Sequence, residues 1–136
     1  MSMTTTLNEM TPEQLKTREM VLKFIARFTN NGKRQEVIDT FSCGCCYWFA
    51  EILWDRFCFN EPINSRGKIY TVYDPIINHW ACCIDYRIYD ITGDITDNEE
   101  YQWHDWNRFM YQDISLTKRL YRDCINFDGG PEDDLV

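Results

Sequence analysis

The feature that most constrains the fold is an almost continuous apolar run between residues 45 and 59. Its large apolar side chains fall on most sides of a helix rather than along one stripe; they are Tyr47, Trp48, Phe49, Ala50, Ile52, Leu53, Trp54 and Phe57. A helix that is apolar on most sides must be covered by other elements. We therefore predict a central, mostly buried helix over residues 45–59, with the rest of the domain packed around it.

The chain before this run begins with a helix signal. Thr11, Pro12 and Gln14 have the residue types of an N-cap, a first helical residue and a capping-box partner. Apolar residues then recur at helical spacing up to the Asn30-Asn31-Gly32 break; they are Leu15, Val21, Leu22, Ile25 and Phe28. We predict a first helix up to this break and a short second helix over residues 33–40.

The segment after the central helix is rich in β-forming residues. Residues 68–73, 79–84 and 87–91 are predicted strands, the last two forming a hairpin or meander. We also predict a polar loop over residues 61–67 and short helices over residues 103–112 and 116–124. Because helices precede strands without βαβ alternation, the predicted class is α+β, with N-terminal helices and a central buried helix packed on a small antiparallel sheet.

The length predicts one domain and therefore one site, since 136 residues are too few for two cores. Residues 1–10 are predicted to be a flexible leader, and residues 11–127 a single α+β domain. Residues 128–136 carry part of the negative charge and are predicted to be a disordered acidic tail.

Charge and composition exclude several classes of function. The net charge is −8 and no basic run is longer than Lys33-Arg34, which argues against nucleic-acid binding. No apolar stretch reaches the ~20 residues that span a bilayer, and residues 1–10 lack the features of a secretion signal. The seven cysteines are odd in number and several are adjacent, which favours reduced thiols and a cytoplasmic location. We predict no membrane association, no cofactor and no metal.

The most informative segment lies where the central helix begins. A cysteine there follows a Gly44 break and stands on the first helical turn, a position that Cys45 and Cys46 nearly share. The unpaired N–H groups and the positive dipole end of a helix stabilise a thiolate, which makes the thiol more reactive. The same N–H groups can hold a developing oxyanion.

A cysteine nucleophile needs a histidine base, and the chain has two, His79 and His104. His79 opens a predicted strand, from which its side chain can project toward the helix N-terminus. Asp90 follows eleven residues later on the next predicted strand, where a hairpin would place it beside His79. Its carboxylate would then orient the imidazole as the third member of a triad. His104 is the rival base, and Asp94 is the rival carboxylate.

The segment Cys43-Gly44-Cys45-Cys46-Tyr47-Trp48-Phe49 resembles the Cys-Gly-Ser-Cys-Trp-Ala-Phe signature of papain-like cysteine peptidases. The order of cysteine, histidine and polar residue is also similar to that of NlpC-type and transglutaminase-like enzymes. The resemblance covers residues 41–95 and implies a minimal papain-like core with Cys46 as nucleophile. It implies a peptidase, amidase or acyltransferase that acts on a protein or peptide through a thioester.

The groups that would bind substrate or oxyanion are less well defined. Thr40 stands six residues before Cys46, where papain-like enzymes have an oxyanion-binding glutamine. Ser42, Thr40 or backbone N–H groups alone would have to replace it, and we expect the substrate or oxyanion to be held near Ser42, Gly44 and Cys45. Asn78, directly before His79, could orient a substrate amide or cap a turn.

Three other interpretations of the sequence fit the same residues. Cys43 and Cys46 form a C-x-x-C pair ahead of a helix, as in thioredoxin-like redox proteins. A zinc site could be built from Cys43, Cys46, His79 and either Cys82 or Cys83. The domain could also be a non-catalytic binding or inhibitor protein on a degraded hydrolase scaffold, whose acidic, aromatic surface holds a basic partner.

Overall fold

The computed structural model describes residues 3–42, 44–66, 68–110 and 113–116 and residue 118, and it has the α+β class predicted from the sequence. The helices are α1 (Pro12–Phe28), α2 (Gln35–Ser42), α3 (Cys46–Phe57), α4 (Glu61–Arg66) and α5 (Asn107–Met110). The strands are β1 (Ile69–Asp74), β2 (His79–Ile84), β3 (Arg87–Asp90), β4 (Gly93–Asp94) and β5 (His104–Asp105). A single 3-10 turn, Leu7–Glu9, precedes α1.

The five strands form one antiparallel sheet in the order β4-β3-β2-β1-β5. The β1–β2 hairpin pairs Ile69 with Ile84 at one end and Asp74 with His79 at the other. All six residues of β2 are buried, as a central strand requires. The strand bounds of β2 match the predicted residues 79–84, and the predicted meander is confirmed.

The predicted central helix is confirmed as α3, which packs on the sheet through contacts with β2 and β1. Side chains of β2 alternate between two clusters. Trp80, Cys82 and Ile84 face the helical side, whereas Ala81 and Cys83 join a smaller cluster on the opposite face. Phe49 and Leu53 are fully buried, but Trp54 is 38% exposed, so α3 is open to solvent along one edge.

The N-terminus of α1 forms the predicted capping box. The Gln14 backbone N–H donates to Thr11 Oγ1 at 3.2 Å, and the Thr11 backbone N–H donates to Gln14 Oε1 at 2.9 Å. These bonds satisfy two of the N–H groups that a helix start leaves without partners. The first turn of α1 is therefore set by local sequence alone.

Two predicted segments are wrong. Residues 61–66 form α4 rather than a polar loop, because Ile63 is buried at 2% exposure and the Asn64 N–H donates to the Asn60 carbonyl at 2.9 Å. The predicted helix over residues 103–112 begins instead as strand β5, which pairs with the outer edge of β1 before the short α5. The pairing satisfies edge groups of β1, and the Trp106 N–H donates to the Thr71 carbonyl at 3.1 Å.

The N-terminal segment differs from the flexible leader predicted over residues 1–10. The Thr5 N–H donates to the Tyr86 carbonyl at 3.0 Å, and Arg87 donates to the Thr5 carbonyl at 2.9 Å. Met3 packs on the second cluster of the sheet. Residues 3–10 are therefore tied to the β2–β3 turn, because the buried Arg87 guanidinium needs acceptors.

The predicted acidic tail over residues 128–136 lies outside the described residues, as does most of the predicted helix over residues 116–124. Of the helices in the described ranges, none has the length and apolar character that crossing a bilayer requires.

Candidate active site

The start of α3 places Cys46 at a helix N-terminus. Gly44 adopts φ +81°, a left-handed conformation that glycine takes without strain, and it turns the chain between α2 and α3. Cys45 is the N-cap and Cys46 the first helical residue. The backbone N–H of Cys46 therefore has no acceptor inside the helix and lies at its positive end.

The β1–β2 hairpin places His79. His79 is the first residue of β2 and pairs with Asp74, the last residue of β1. The connection is closed by the Asn78 N–H, which donates to the Asp74 carbonyl at 2.8 Å while Asn78 adopts φ +62°. Asparagine tolerates this left-handed conformation better than most residues, which explains its place before His79.

The predicted partner of His79 is Asp90, and the structure brings the two together. His79 Nε2 and Asp90 Oδ2 lie 2.9 Å apart, and both side chains are 8% exposed. The other carboxylate oxygen of Asp90 accepts from the Thr92 N–H at 2.8 Å and from the Thr92 hydroxyl. Asp90 is therefore held on both oxygens, and it fixes the Nε2 side of the imidazole.

The Cys46 side chain lies beside the His79 ring, close enough to influence its protonation. Since Asp90 occupies Nε2, Nδ1 is the ring nitrogen left for the sulfur. Burial alone lowers the pKa of His79, but the hydrogen bond with Asp90 and the neighbouring Cys46 side chain outweigh it and raise the pKa to about 9. The site thus favours an imidazolium between a sulfur and a carboxylate.

Two aromatic rings cover the imidazole. Tyr101 stacks on His79 with 5.4 Å between ring centroids, and Trp103 lies at 5.9 Å. The two cover rings are themselves stacked at 4.7 Å. Burial raises the pKa of the Tyr101 hydroxyl, and the nearby charge of Asp90 adds to the effect. Tyr101 was not identified from the sequence, because it lies in a loop without a periodic pattern.

The cysteines differ in their surroundings. Cys46 is buried at 4% exposure and lies beside the His79 imidazole. Cys82 is fully enclosed, and burial raises its pKa well above that of an ordinary thiol. Burial also raises the pKa of Cys83, to about 11. These two thiols have the environment of inert core cysteines.

The predicted substrate and oxyanion residues have mixed outcomes. The Ser42 hydroxyl donates to the Ile38 carbonyl at 2.6 Å and the Cys45 N–H to the Thr40 carbonyl at 3.4 Å, so both donors are already engaged. Gly44 supplies the turn between α2 and α3. The Cys46 N–H is thus the donor that the helix start offers to an oxyanion.

Asn78 lies at the wall of a surface groove of about 650 Å³ whose lining includes neither His79 nor Cys46. The other lining residues are mostly apolar or aromatic; they are Tyr73, Pro75, Phe109, Asp113, Ser115 and Leu116. The Asn78 side-chain oxygen accepts from the Tyr73 hydroxyl at 3.0 Å, which holds the amide at the groove.

His104 and Asp94, the rival base and the rival carboxylate, have contacts away from the proposed triad. His104 lies on β5, with its ring 5.9 Å from Phe109 and its Nδ1 3.3 Å from Arg108. Asp94 binds Arg18 and Arg87 at 2.7 and 2.9 Å, so it does not replace Asp90 at His79.

The redox and metal interpretations both depend on Cys43, which lies outside the described residues. The segment before Cys43 is helix α2, whereas a thioredoxin-like motif follows a strand. Within the described ranges, no three histidine, cysteine or acidic side chains come together as a metal site. Cys82 and Cys83 lie on opposite faces of the sheet.

No protein-family model matches this chain, and neither the curated proteins nor the solved structures include a match. The chemistry of the site follows from its own groups. A thiol at a helix N-terminus, a protonatable imidazole and a carboxylate in series are the parts that nucleophilic acyl transfer needs.

Proposed function

We propose that this protein is a thiol-dependent acyl-transfer enzyme, either a hydrolase or an acyltransferase. Cys46 is the nucleophile, His79 the general base and acid, and Asp90 the residue that orients His79. One observation carries the proposal: the His79 ring bonds to the Asp90 carboxylate at 2.9 Å and has the Cys46 side chain beside it. The resemblance of residues 43–49 to the papain-like signature supports the same assignment.

In the first half-reaction the thiol proton resides on His79, and the Cys46 sulfur attacks the acyl carbon of the substrate. The carbonyl π electrons move to oxygen, and the resulting oxyanion lies at the α3 N-terminus, where the Cys46 N–H donates to it. Asp90 stabilises the positive imidazolium throughout this step. The leaving group then departs with the proton of His79, and a thioester remains on Cys46.

In the second half-reaction an acceptor attacks the thioester. His79 takes the proton from the acceptor and returns a proton to the sulfur as the thiol departs. Water as acceptor gives a peptidase or amidase, whereas an amine gives an acyltransferase. The proposed substrate is a protein or peptide, as the resemblance of residues 43–49 to the papain-like signature implies.

The described cysteines 45, 46, 58, 82 and 83 are all free thiols. Free thiols suit a reducing compartment, so we propose that the protein works in the cytoplasm. A thiol nucleophile would also require this reduced state.

The proposal is tested with p-nitrophenyl acetate as a small acyl donor. The expected result is release of p-nitrophenolate together with an acetyl thioester that peptide mass spectrometry assigns to Cys46. Adding an amine or waiting for hydrolysis then discharges the thioester, and the products identify the preferred acceptor. His79→Ala is expected to reduce acylation of Cys46 by about a thousandfold, as removal of a general base does.

Cys45→Ala is the matched control, since Cys45 is the adjacent N-cap cysteine and 5% exposed. It is expected to retain acylation, whereas Cys46→Ala loses it. If folded wild-type protein is not acylated, or is acylated equally in His79→Ala, the enzyme proposal is wrong. The low exposure of Cys46 would then favour a non-catalytic binding protein.

A further inference from the structure

Asp74 is a buried carboxylate at the end of β1 that does not belong to the proposed triad. It is 1% exposed and lies opposite His79 in the β1–β2 pair. One of its oxygens, Oδ1, accepts from the backbone N–H groups of Ile76 and Ile77 at 2.8 and 3.2 Å. This carboxylate oxygen therefore shapes the turn that leads into His79.

The second oxygen of Asp74 bonds to a different part of the chain. Asp74 Oδ2 accepts from the backbone N–H of Gln102 at 2.8 Å, 28 residues away in sequence. Gln102 lies between Tyr101 and Trp103, the two rings that cover the His79 imidazole. One carboxylate thus joins the turn before His79 to the aromatic cover above it.

We propose that Asp74 is a positioning residue for the proposed reaction, because its two oxygens hold the His79 turn and the Tyr101–Trp103 cover as one unit. The cover then confines the imidazole to the plane in which one nitrogen meets Asp90 and the other meets Cys46. This inference rests on the proposed function for its catalytic meaning. Its geometric content can be tested without turnover.

Asparagine at position 74 has a single acceptor oxygen, so it can bond to the turn or to Gln102 but not to both. In Asp74→Asn the His79 imidazole is expected to lose its orientation toward Asp90 and Cys46. The His79 titration midpoint, measured by NMR of the imidazole nitrogens, should fall from about 9 toward the 6.5 of an ordinary histidine. Alkylation of Cys46 by iodoacetamide at pH 7 should slow by about tenfold.

The matched control is Asp85→Asn. Asp85 is another buried turn carboxylate, 1% exposed, at the far end of β2. This variant is expected to be destabilised as well, but its His79 titration and Cys46 alkylation should equal those of the wild type. A role confined to stability would make the two variants behave alike in the folded state.

Gln102→Pro provides a second test if Asp74→Asn does not fold, since it removes the N–H that bonds to Asp74 Oδ2 and keeps the Asp74 carboxylate. A fall in the His79 titration midpoint in either variant supports the inference. A wild-type titration and wild-type alkylation rate in a folded variant would overturn it. Because both readouts use the resting protein, they stay informative if no acyl-enzyme forms and the proposed function fails.

Discussion

Two buried ionic clusters lie on either side of the β3–β4 turn, and they have opposite chemical character. In the first, His79 bonds to Asp90 and has the Cys46 side chain beside it. In the second, Asp94 binds the guanidinium groups of Arg18 and Arg87, at 2.7 and 2.9 Å. The two aspartates are four residues apart, and each is held by a threonine two residues further on.

The difference lies in what each partner can do with a proton. A guanidinium keeps its charge at every physiological pH, so the Asp94 cluster can only hold elements together. Burial raises the pKa of Asp94, but the hydrogen bonds from Thr96 and Arg18 outweigh this and lower it. An imidazole with a pKa of about 9 can release its proton to a leaving group. Burial with ion pairing therefore does not identify an active site unless one partner can exchange a proton.

The largest expected effect is on stability, from Asp94→Asn. This change removes one of the two carboxylates that bind the buried Arg87 guanidinium, the other being the exposed Asp97, and should lower the free energy of unfolding by about 3 kcal/mol. Denaturant titration measures this loss. The folded variant should alkylate Cys46 at the wild-type rate, and a slower rate with unchanged stability would reverse the roles assigned to the two clusters.

Asp90→Ala is expected to change the reactivity of Cys46 rather than mainly the stability of the fold. It leaves His79 Nε2 without an acceptor, so the ring loses its orientation and the imidazolium loses its counter-charge. Acylation or alkylation of Cys46 should slow by about a hundredfold, which corresponds to ~2.7 kcal/mol. Site-resolved mass spectrometry gives the rate. If the rate is unchanged while the midpoint of unfolding falls, Asp90 only caps the turn.

The pH dependence of stability should distinguish the clusters by sign. The folded pKa of His79 is raised above the ~6.5 of an unfolded histidine, so its stabilising contribution is complete below about pH 6.5 and is lost as pH rises through about 9. Asp94 has a lowered pKa, so its contribution is complete above the ordinary carboxyl range and is lost as pH falls through its folded pKa. Urea unfolding between pH 6 and 10 measures the contribution of His79.

The alkaline loss should amount to roughly 1–3 kcal/mol in the wild type. It should be reduced in His79→Gln, which cannot gain the charge, and retained in Asp94→Asn. An alkaline loss of equal size in His79→Gln would show that other groups cause it.

Thr92→Val should have the smallest effect. Valine keeps the shape and the backbone N–H but removes the hydroxyl that donates to Asp90. One lost hydrogen bond to a charged group corresponds to about 1 kcal/mol, or a roughly fivefold slower reaction of Cys46. Thr96→Val, which removes the equivalent hydroxyl at Asp94, should instead lower stability and leave the rate alone. Equal effects of the two variants on the reaction rate of Cys46 would contradict the different roles assigned to the Asp90 and Asp94 clusters.

The parts of the fold and site that could be predicted are those with a local pattern. The apolar run of α3 and the glycine break before it locate Cys46, and the β-rich run from residue 79 to 84 locates His79. Asp90 follows from hairpin geometry, because adjacent antiparallel strands bring their ends together.

The remaining parts depend on contacts that are distant in sequence. β5 forms because the edge of β1 accepts it, not because residues 104–105 prefer a strand. Tyr101 reaches His79 through a loop whose path is set by the bond between Gln102 and Asp74. The choice between Asp90 and Asp94 depends on Arg18, which comes from a helix 76 residues earlier. None of these contacts leaves a repeating pattern in the sequence from which it could be predicted.

The pairing of Cys46 with His79 is tested by the rate of Cys46 alkylation by iodoacetamide as a function of pH, resolved by peptide mass spectrometry. Below pH 7, Cys46 is expected to react faster in the wild type than in His79→Ala, because the protonated imidazole beside the sulfur favours its reactive form. The same rate at every pH in the two proteins would mean that Cys46 and His79 do not act as a pair.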